Sequence, residues 1–312
     1  MKQSTHARTA ALAILPILNA AAQPDTQSHG SQRPRQTIEV TPTLDATDSS
    51  VLTHKSGFHL FNPTPRERWR PLAADRPDAT ESPISVDAGA YQIEASFAEL
   101  GLDREDGNET TSLSIAPINF KIGLTNRIDL QLLINPLEHT NTSNARAETG
   151  TDDVGFRVKI NLWGNDMHET GEKNALALLP YVVFPTGDDD VTDDAYQFGL
   201  IVPFSTELAG GWSLGAQVKT TFTHDDSAPT QTTAALAHTL VVGHDIAGDL
   251  AGYIEYIGEY SFHGDAEYRP TASAGLSYTL NADTVLDAGL LVGLDNGDTK
   301  DLRLFTGITR RF

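Results

Sequence analysis

From residue 88 to the C-terminus, apolar and polar side chains alternate in a series of short runs. In one, Val154, Phe156, Val158, Ile160 and Leu162 share a face, and Gly155, Arg157, Lys159 and Asn161 share the other. In another, Ile128, Leu130, Leu132 and Ile134 oppose Asp129, Gln131 and Leu133. A third sets Trp212, Leu214, Ala216, Val218 and Phe222 against Ser213, Gly215, Gln217, Lys219 and Thr221. A period of two is the mark of a strand with two different faces. The pattern predicts about twelve strands: Ala88–Leu100, Thr111–Leu124, Arg127–Ile134, Asp153–Leu162, Ala175–Phe184, Tyr196–Glu207, Trp212–Thr223, Thr232–Ile246, Leu250–Tyr260, Thr271–Leu280, Thr284–Leu294 and Leu302–Phe312. The second changes phase near Pro117, which predicts a bulge or bend there. The eighth is blurred enough to be read as two pieces.

The connections sort themselves by length. Thr125-Asn126, Ala209–Gly211, Ala247–Asp249 and Asn281–Asp283 are tight. Gly101–Thr110, Asn135–Gly150, Pro185–Ala195, His224–Gln231, Ser261–Pro270 and Asp295–Asp301 are longer, and most are acidic. Short and long alternate, apart from Trp163–Asn174. Outer-membrane barrels have short periplasmic turns and longer outer loops. The expected fold is therefore all-β: a transmembrane antiparallel up-and-down β-barrel of about 12 strands, with an irregular N-terminal arm. An even strand number puts both chain ends on the periplasmic side. Leu302–Phe312, which ends on an aromatic residue, becomes the closing strand. It resembles the terminal assembly signal of such barrels, which implies the barrel-assembly machinery as a partner and Phe312 as the signal residue.

Composition agrees with a barrel and with no helical span. Hydrophobic residues make up 39% of the chain and mean hydropathy is −0.28. The longest apolar run, Ala10–Leu18, is broken by Pro16 and too short to cross a bilayer as a helix. A barrel escapes that requirement, because only alternate residues face lipid. Residues 1–22 have the layout of an export signal, with Lys2 and Arg8, the apolar run, then Ala20-Ala21-Ala22 as a cleavage site. Cleavage near Ala22 removes two bases and no acid, so the net charge of −20 becomes −22. Such acidity excludes a nucleic-acid footprint and a polybasic lipid anchor. The absence of cysteine excludes disulfides and thiolate chemistry. Residues 23–70 read as a flexible or irregular arm, 71–85 as a charged, proline-fixed segment, and 86–312 as the barrel.

With the apolar face toward lipid, the polar face lines the lumen. Candidate lumen or plug residues are Asp75, Arg76, Asp78 and Glu81 in the proline-fixed segment, with Gln92, Glu94, Asp129, Arg157, Lys159 and Lys219 on the strands. The stretch Asp75-Arg76-Pro77-Asp78-Ala79-Thr80-Glu81-Ser82-Pro83, followed by Gly89, Gln92 and Glu94, resembles the phenol-degradation meta-pathway (MetA) family of outer-membrane transporters. Phe61–Glu67 is similar to the lead-in of one subgroup. Asp153–Lys159, Leu178-Leu179-Pro180 and Pro185-Thr186-Gly187 fit later family patterns. The resemblance runs from about Phe61 to the C-terminus. It implies an outer-membrane barrel that takes up small molecules, without identifying phenol as the solute. Arg310 departs from the usual apolar alternation of a closing strand.

Other chemistry is weaker. Gly211-Trp212-Ser213-Leu214-Gly215 has the spacing of a nucleophile elbow, which requires a strand–turn–helix context. Here Ser213 opens an alternating strand, so no enzyme is expected. Asp188, Asp189 and Asp190 are weak candidates for a hard cation, but a charge run is more often solvated. No cofactor is expected. The leading expectation is a bacterial (Gram-negative) outer-membrane barrel giving passive passage to small solutes, in contact with outer-membrane lipid and lipopolysaccharide. A non-conducting structural barrel and a secreted soluble β-sandwich binding module are the alternatives.

Overall fold

The computed structural model describes residues 55–105, 108–143, 145–192, 195–225, 232–262, 267–294 and 302–312. The expected export signal, 1–22, lies outside them. Fifteen strand segments form one antiparallel sheet: β1 Tyr91–Glu105, β2 Asn108–Ile115, β3 Ile118–Thr125, β4 Ile128–Ile134, β5 Leu137–Thr142, β6 Glu148–Gly150, β7 Val154–Trp163, β8 Asn174–Phe184, β9 Ala195–Glu207, β10 Trp212–Asp225, β11 Thr232–Ala247, β12 Leu250–Ser261, β13 Glu267–Asn281, β14 Thr284–Gly293 and β15 Leu302–Arg311. β15 pairs with β1, so the sheet closes on itself. Both β2 and β3 lie against β1 as successive parts of one wall strand. β4 and β5 form another, and β6 and β7 a third. The fifteen segments therefore make a wall of twelve strands.

The breaks within those wall strands have local causes. Ala116 has a φ of 55° and precedes Pro117, which has no N–H for the ladder. Pro136 separates β4 from β5 in the same way. In β1 the register slips between Ser96 and Ala98. Inward positions then change from Gln92, Glu94 and Ser96 to Glu99, and Phe97 points outward. A bulge shifts the phase by one residue, which exchanges the two faces beyond it.

Several sequence expectations are adjusted. The first strand starts at Tyr91 rather than Ala88, because Asp87–Ala90 turns, with Ala90 N–H donating to Asp87 O at 2.9 Å. It then runs past Leu100 to Glu105, so much of the expected loop Gly101–Thr110 is paired strand. The region Asn135–Gly150 likewise contains β5 and β6. The blurred eighth strand is one continuous β11. The long connection Trp163–Asn174 contains a short helix, Met167–Thr170, ended by Gly171 in the left-handed region.

The outer surface carries two aromatic belts. Tyr91, Trp163, Trp212, Tyr278 and Phe312 are exposed at the end that carries the short turns. Phe156, Tyr196, Phe222, Tyr256, Tyr260 and Tyr268 are exposed toward the other end. On β10, Trp212 and Phe222 are ten residues apart, and so are Tyr268 and Tyr278 on β13. At ~3.3 Å per residue and a tilt of ~40°, that separation is about 25 Å across the membrane, the height of the apolar band of an outer-membrane barrel. Between the belts the outward residues of β10 are Leu214, Ala216, Val218 and Thr220. This spacing places the barrel in an outer membrane.

Closure reaches the last residue. Phe312 N–H donates to Tyr91 O at 2.8 Å and Tyr91 N–H returns a bond to Phe312 O at 3.2 Å. Arg310 points outward at this rim, and its guanidinium lies 5.2 Å from the Phe312 ring. That position lies at the belt, where a charged head reaches water while its stem packs. Deleting Phe312 removes this seam pair, at about 1 kcal/mol per hydrogen bond, together with a belt aromatic. The expected outcome is a smaller heat-modifiable (folded) fraction on a gel, with unchanged solute preference in the fraction that assembles.

Candidate functional site: the plugged barrel lumen

The chain enters the barrel before it builds the wall. Residues 55–70 cross the short-turn end as an irregular strap. Lys55 Nζ pairs with Asp166 Oδ1 at 3.0 Å and with Glu169 Oε1 at 2.5 Å, both in the Trp163–Asn174 connection. Leu60 N–H donates to Leu124 O at 2.8 Å, and Arg66 pairs with Asp283 in the β13–β14 turn. The Trp69 ring lies between two guanidinium groups, 4.8 Å from that of Arg66 and 4.9 Å from that of Arg311. The strap is thereby fixed to three turns and to the closing strand.

Residues 70–88 then fold up into the lumen and out again. Prolines 71, 77 and 83 prevent helix and strand alike. The backbone donors that would otherwise be orphaned meet inward side chains of the wall. Asp75 N–H donates to Glu94 Oε1 at 2.7 Å, Ala79 N–H to Glu255 Oε2 at 2.8 Å and Glu81 N–H to Gln217 Oε1 at 2.8 Å. Val86 N–H donates to Asp129 Oδ2 at 3.0 Å, and Asn161 Nδ2 donates to Pro83 O at 2.8 Å. On the way out the segment passes close to Gly123 of β3. A Cβ there would meet the backbone carbonyls of Asp87 and Val86, the latter oxygen at 2.8 Å.

Ion pairs lock the same segment. Asp75 lies between two wall lysines, Lys159 at 2.8 Å and Lys121, and Lys121 also pairs with Glu94 at 2.6 Å. Arg76 makes a two-pronged pair with Asp287 of β14, at 2.9 and 2.7 Å, and donates to Ser96 Oγ at 2.5 Å. Glu81 pairs with Arg157 of β7. Arg70 pairs with Asp87 at 3.2 Å and Asp166 at 2.8 Å, while Arg311 Nη1 donates to Arg70 O at 2.8 Å. All these side chains except Asp166 are buried. Burial tends to push the Asp75 carboxyl up, but Lys121 and Lys159 outweigh it and hold the group below the usual carboxylate range. Burial raises Glu81 to about 7 despite the opposing Arg157 guanidinium. Asp78 is raised well above its ordinary value, first by burial and then by the Glu255 carboxylate.

The structure thus brings together Asp75, Arg76, Asp78, Glu81, Gln92, Glu94, Asp129, Arg157 and Lys159 where the segment meets the inner wall. Lys219 is also inward but pairs with none of the segment's acids; its Nζ lies 5.2 Å from the Tyr181 ring. Five partners were missed from sequence: Arg70, Lys121, Asp287, Arg311 and Asp87. Lys121 falls after the Pro117 phase change. Asp287 is the sole acid in the apolar run of β14, a signal that was present but not used. Asp188 is elsewhere, capping a hairpin: its Oδ2 accepts from Thr151 N–H at 2.7 Å, and Asp189 and Asp190 are exposed. Among the described residues no group of three His, Asp or Glu side chains is placed to hold a metal ion.

The segment does not fill the lumen evenly. Its ion pairs go to β3, β7, β14 and β15, and it hydrogen-bonds to Glu94 and Ser96 of β1. Toward β9–β13 the wall carries small inward residues, Ser205, Ser213, Gly215, Gly243, Ala251 and Ser277. A pocket of about 1080 Å³, open to solvent, lies between segment and wall on that side. Met167, His168, Glu207 and His244 lie at its short-turn end, and Asp78, Thr80, Glu81 and Tyr253 line it deeper in the barrel.

Comparison with known proteins agrees with this geometry. The family model described as "Putative MetA-pathway of phenol degradation" matches residues 74–305, from the plug segment to the closing strand. Among solved structures, the chain is similar to the COG4313 outer membrane channel from Pseudomonas putida F1, at 14% identity over 77% of this chain and 100% of that one, with a TM-score of 0.60. It is more distantly similar to the translocator domain of the autotransporter NalP from Neisseria meningitidis, at 10% identity over 72% of this chain and 88% of that one, TM-score 0.45. No curated protein matches. The first likeness is one of barrel fold.

Two predictions follow from the ion pairs. Asp287→Ala leaves the Arg76 guanidinium buried without its carboxylate, which costs about 3–5 kcal/mol, whereas the double variant with Arg76→Met recovers much of that loss. Thermal unfolding of the four proteins in the cycle measures the coupling. Glu81 has a folded-state value raised from 4.5 to about 7, so its contribution to stability is present below 4.5 and lost as pH rises to 7. Segment docking, followed by proteolysis of the N-terminal region, should therefore weaken between about pH 4.5 and pH 7, by at most about 3 kcal/mol from this group. Glu81→Gln should flatten that dependence.

Proposed function

We propose that this chain, which belongs to the family described as "Putative MetA-pathway of phenol degradation", is an outer-membrane barrel that lets small solutes cross passively, with residues 71–85 as its plug and constriction. The observation that carries the reading is the open pocket between that segment and the small-residue wall of β9–β13, at the end facing the periplasm. A purely structural barrel has no need to leave one arc of its lumen unfilled while locking the other with buried ion pairs. The described residues show neither a nucleotide-binding loop nor a nucleophile elbow. Ser213 is in strand β10, so the G-x-S-x-G spacing has no turn to expose it. Solutes would pass beside the segment's tip, where Asp78, Thr80 and Glu81 narrow the route. The plug role of Asp75, Arg76, Asp78 and Glu81 and the lining role of Gln92, Glu94, Asp129, Arg157, Lys159 and Lys219 belong to this proposal. So do contacts with lipopolysaccharide and with the assembly machinery through Phe312.

Planar-bilayer recording tests it. The intact protein should give small, ohmic steps, and deletion of residues 71–83 should enlarge them severalfold. A barrel that stays silent in both forms would instead be the structural, non-conducting one.

A further inference from the structure

Every acid of the plug but one has a cation or a set of donors. Asp75 has two lysines, Glu81 has Arg157, and Asp87 has Arg70. Asp78 forms no ion pair, is only 2% exposed, and its Oδ1 accepts no hydrogen bond. Glu81 lies beside it, its carboxyl paired with Arg157 and in contact with that of Asp75. Both residues line the periplasm-facing pocket. The neighbouring wall does not supply the missing charge. From β12 Asp78 faces Glu255 and Tyr253, and from its own segment Asp75 and Glu81. The cations near Glu81 are Arg157, Lys159 and Lys121, on the opposite arc. Glu255 already accepts from Ala79 N–H and from Thr80 Oγ1, the latter at 2.7 Å, so both its oxygens are engaged. A buried carboxyl beside another carboxylate needs a cation or a proton to be tolerated.

We propose that this pocket binds a small organic cation, its ammonium group held by the Asp78 carboxyl and its apolar body lying along Leu72, Met167 and Val241. This deepens the reading of the lumen as a solute route by assigning it a preferred charge. The carboxylates disfavour anions. Among the described residues no third ligand is grouped with them, which disfavours a metal ion. The apolar lining beside the acids favours an alkylammonium over a bare hydrated ion. Glu207 at the mouth adds to the negative field, with His168 3.4 Å from it. Without a cation, burial and the neighbouring Glu255 carboxyl favour the protonated form of Asp78. Binding then displaces that proton, so affinity should increase with pH until the ligand itself deprotonates.

The test is isothermal titration of the full-length barrel in detergent with n-butylammonium, butyrate and butan-1-ol, at pH 6 and pH 8.5. The expected result is that n-butylammonium binds, more tightly at pH 8.5, that butyrate does not bind, and that Asp78→Asn weakens the ammonium by about tenfold or more. Asp78→Asn is isosteric and breaks no ion pair, and its heat-modifiability on a gel checks that it folds. Equal affinity for butan-1-ol, no binding of n-butylammonium at either pH, or unchanged affinity in a folded Asp78→Asn barrel would overturn the inference. The pH comparison on the native protein stands even if that variant fails to fold: affinity that is flat or falls with pH is also a refutation. Bilayer conductance separates the two claims. Steps without n-butylammonium binding remove the site and leave the passage, whereas binding to a silent barrel removes the passage and leaves the site.

Discussion

A barrel that turns its apolar face to lipid must settle what its interior holds, and here the inner wall carries charges that water reaches poorly. Lys121, Lys159, Arg157 and Asp287 are almost fully buried. A charge in that position is tolerable only with an opposite charge and hydrogen bonds around it. The segment 70–88 brings the counter-charges in: Asp75 for the lysines, Glu81 for Arg157 and Arg76 for Asp287. Wall and plug are each unsatisfactory alone. Their complementarity explains why a proline-rich stretch with no secondary structure of its own holds a defined path through the lumen.

The same constraint couples the two ends of the chain. Arg76 and its partner Asp287 are 211 residues apart, and Arg311 reaches back to Arg70. Both contacts tie the segment to strands at the closing seam, so in the folded state its placement and the closure of the wall support each other. Buried ion pairs add little net stability compared with apolar packing, but a mismatched one is costly. Their contribution here is to select one placement of the segment among the many that an irregular chain can adopt.

The strand set was legible because lipid imposes a strict two-residue period on the outward face. Val154 to Leu162 is the clearest case, and its polar partners Arg157 and Lys159 could be assigned to the lumen from alternation alone. The bulge at Ser96 and the φ of Ala116 were less visible. Only the proline beside the second gave any signal, and the slip at the first brings Glu99 inward without one. Pairing inside the lumen was not legible. In Asp75-Arg76-Pro77-Asp78 the two acids flank one arginine and look equivalent. The fold gives Asp75 two lysines and leaves Asp78 facing Glu255. That difference depends on which strands stand on each side of the tip, which only the closed sheet decides.

The resulting asymmetry reconciles a filled lumen with the solute passage proposed for it. Charged residues on β1, β3, β7, β14 and β15 require close contact with the segment, and they receive it. Where β9–β13 line the pocket, Ser205, Ser213, Gly215, Gly243, Ala251 and Ser277 are small and neutral, with Gln217, Thr239 and Glu255 reaching the tip through hydrogen bonds alone. Small side chains leave volume, and these neutral ones have no charge to be matched, so that stretch tolerates an open pocket. The space for a solute is thus where the wall makes least demand on the plug. The residues that narrow it, Asp78 and Glu81, belong to the plug rather than to the wall. On the proposed reading, passage would depend on where the chain's own N-terminal segment is held, and the opposite arc of ion pairs holds it.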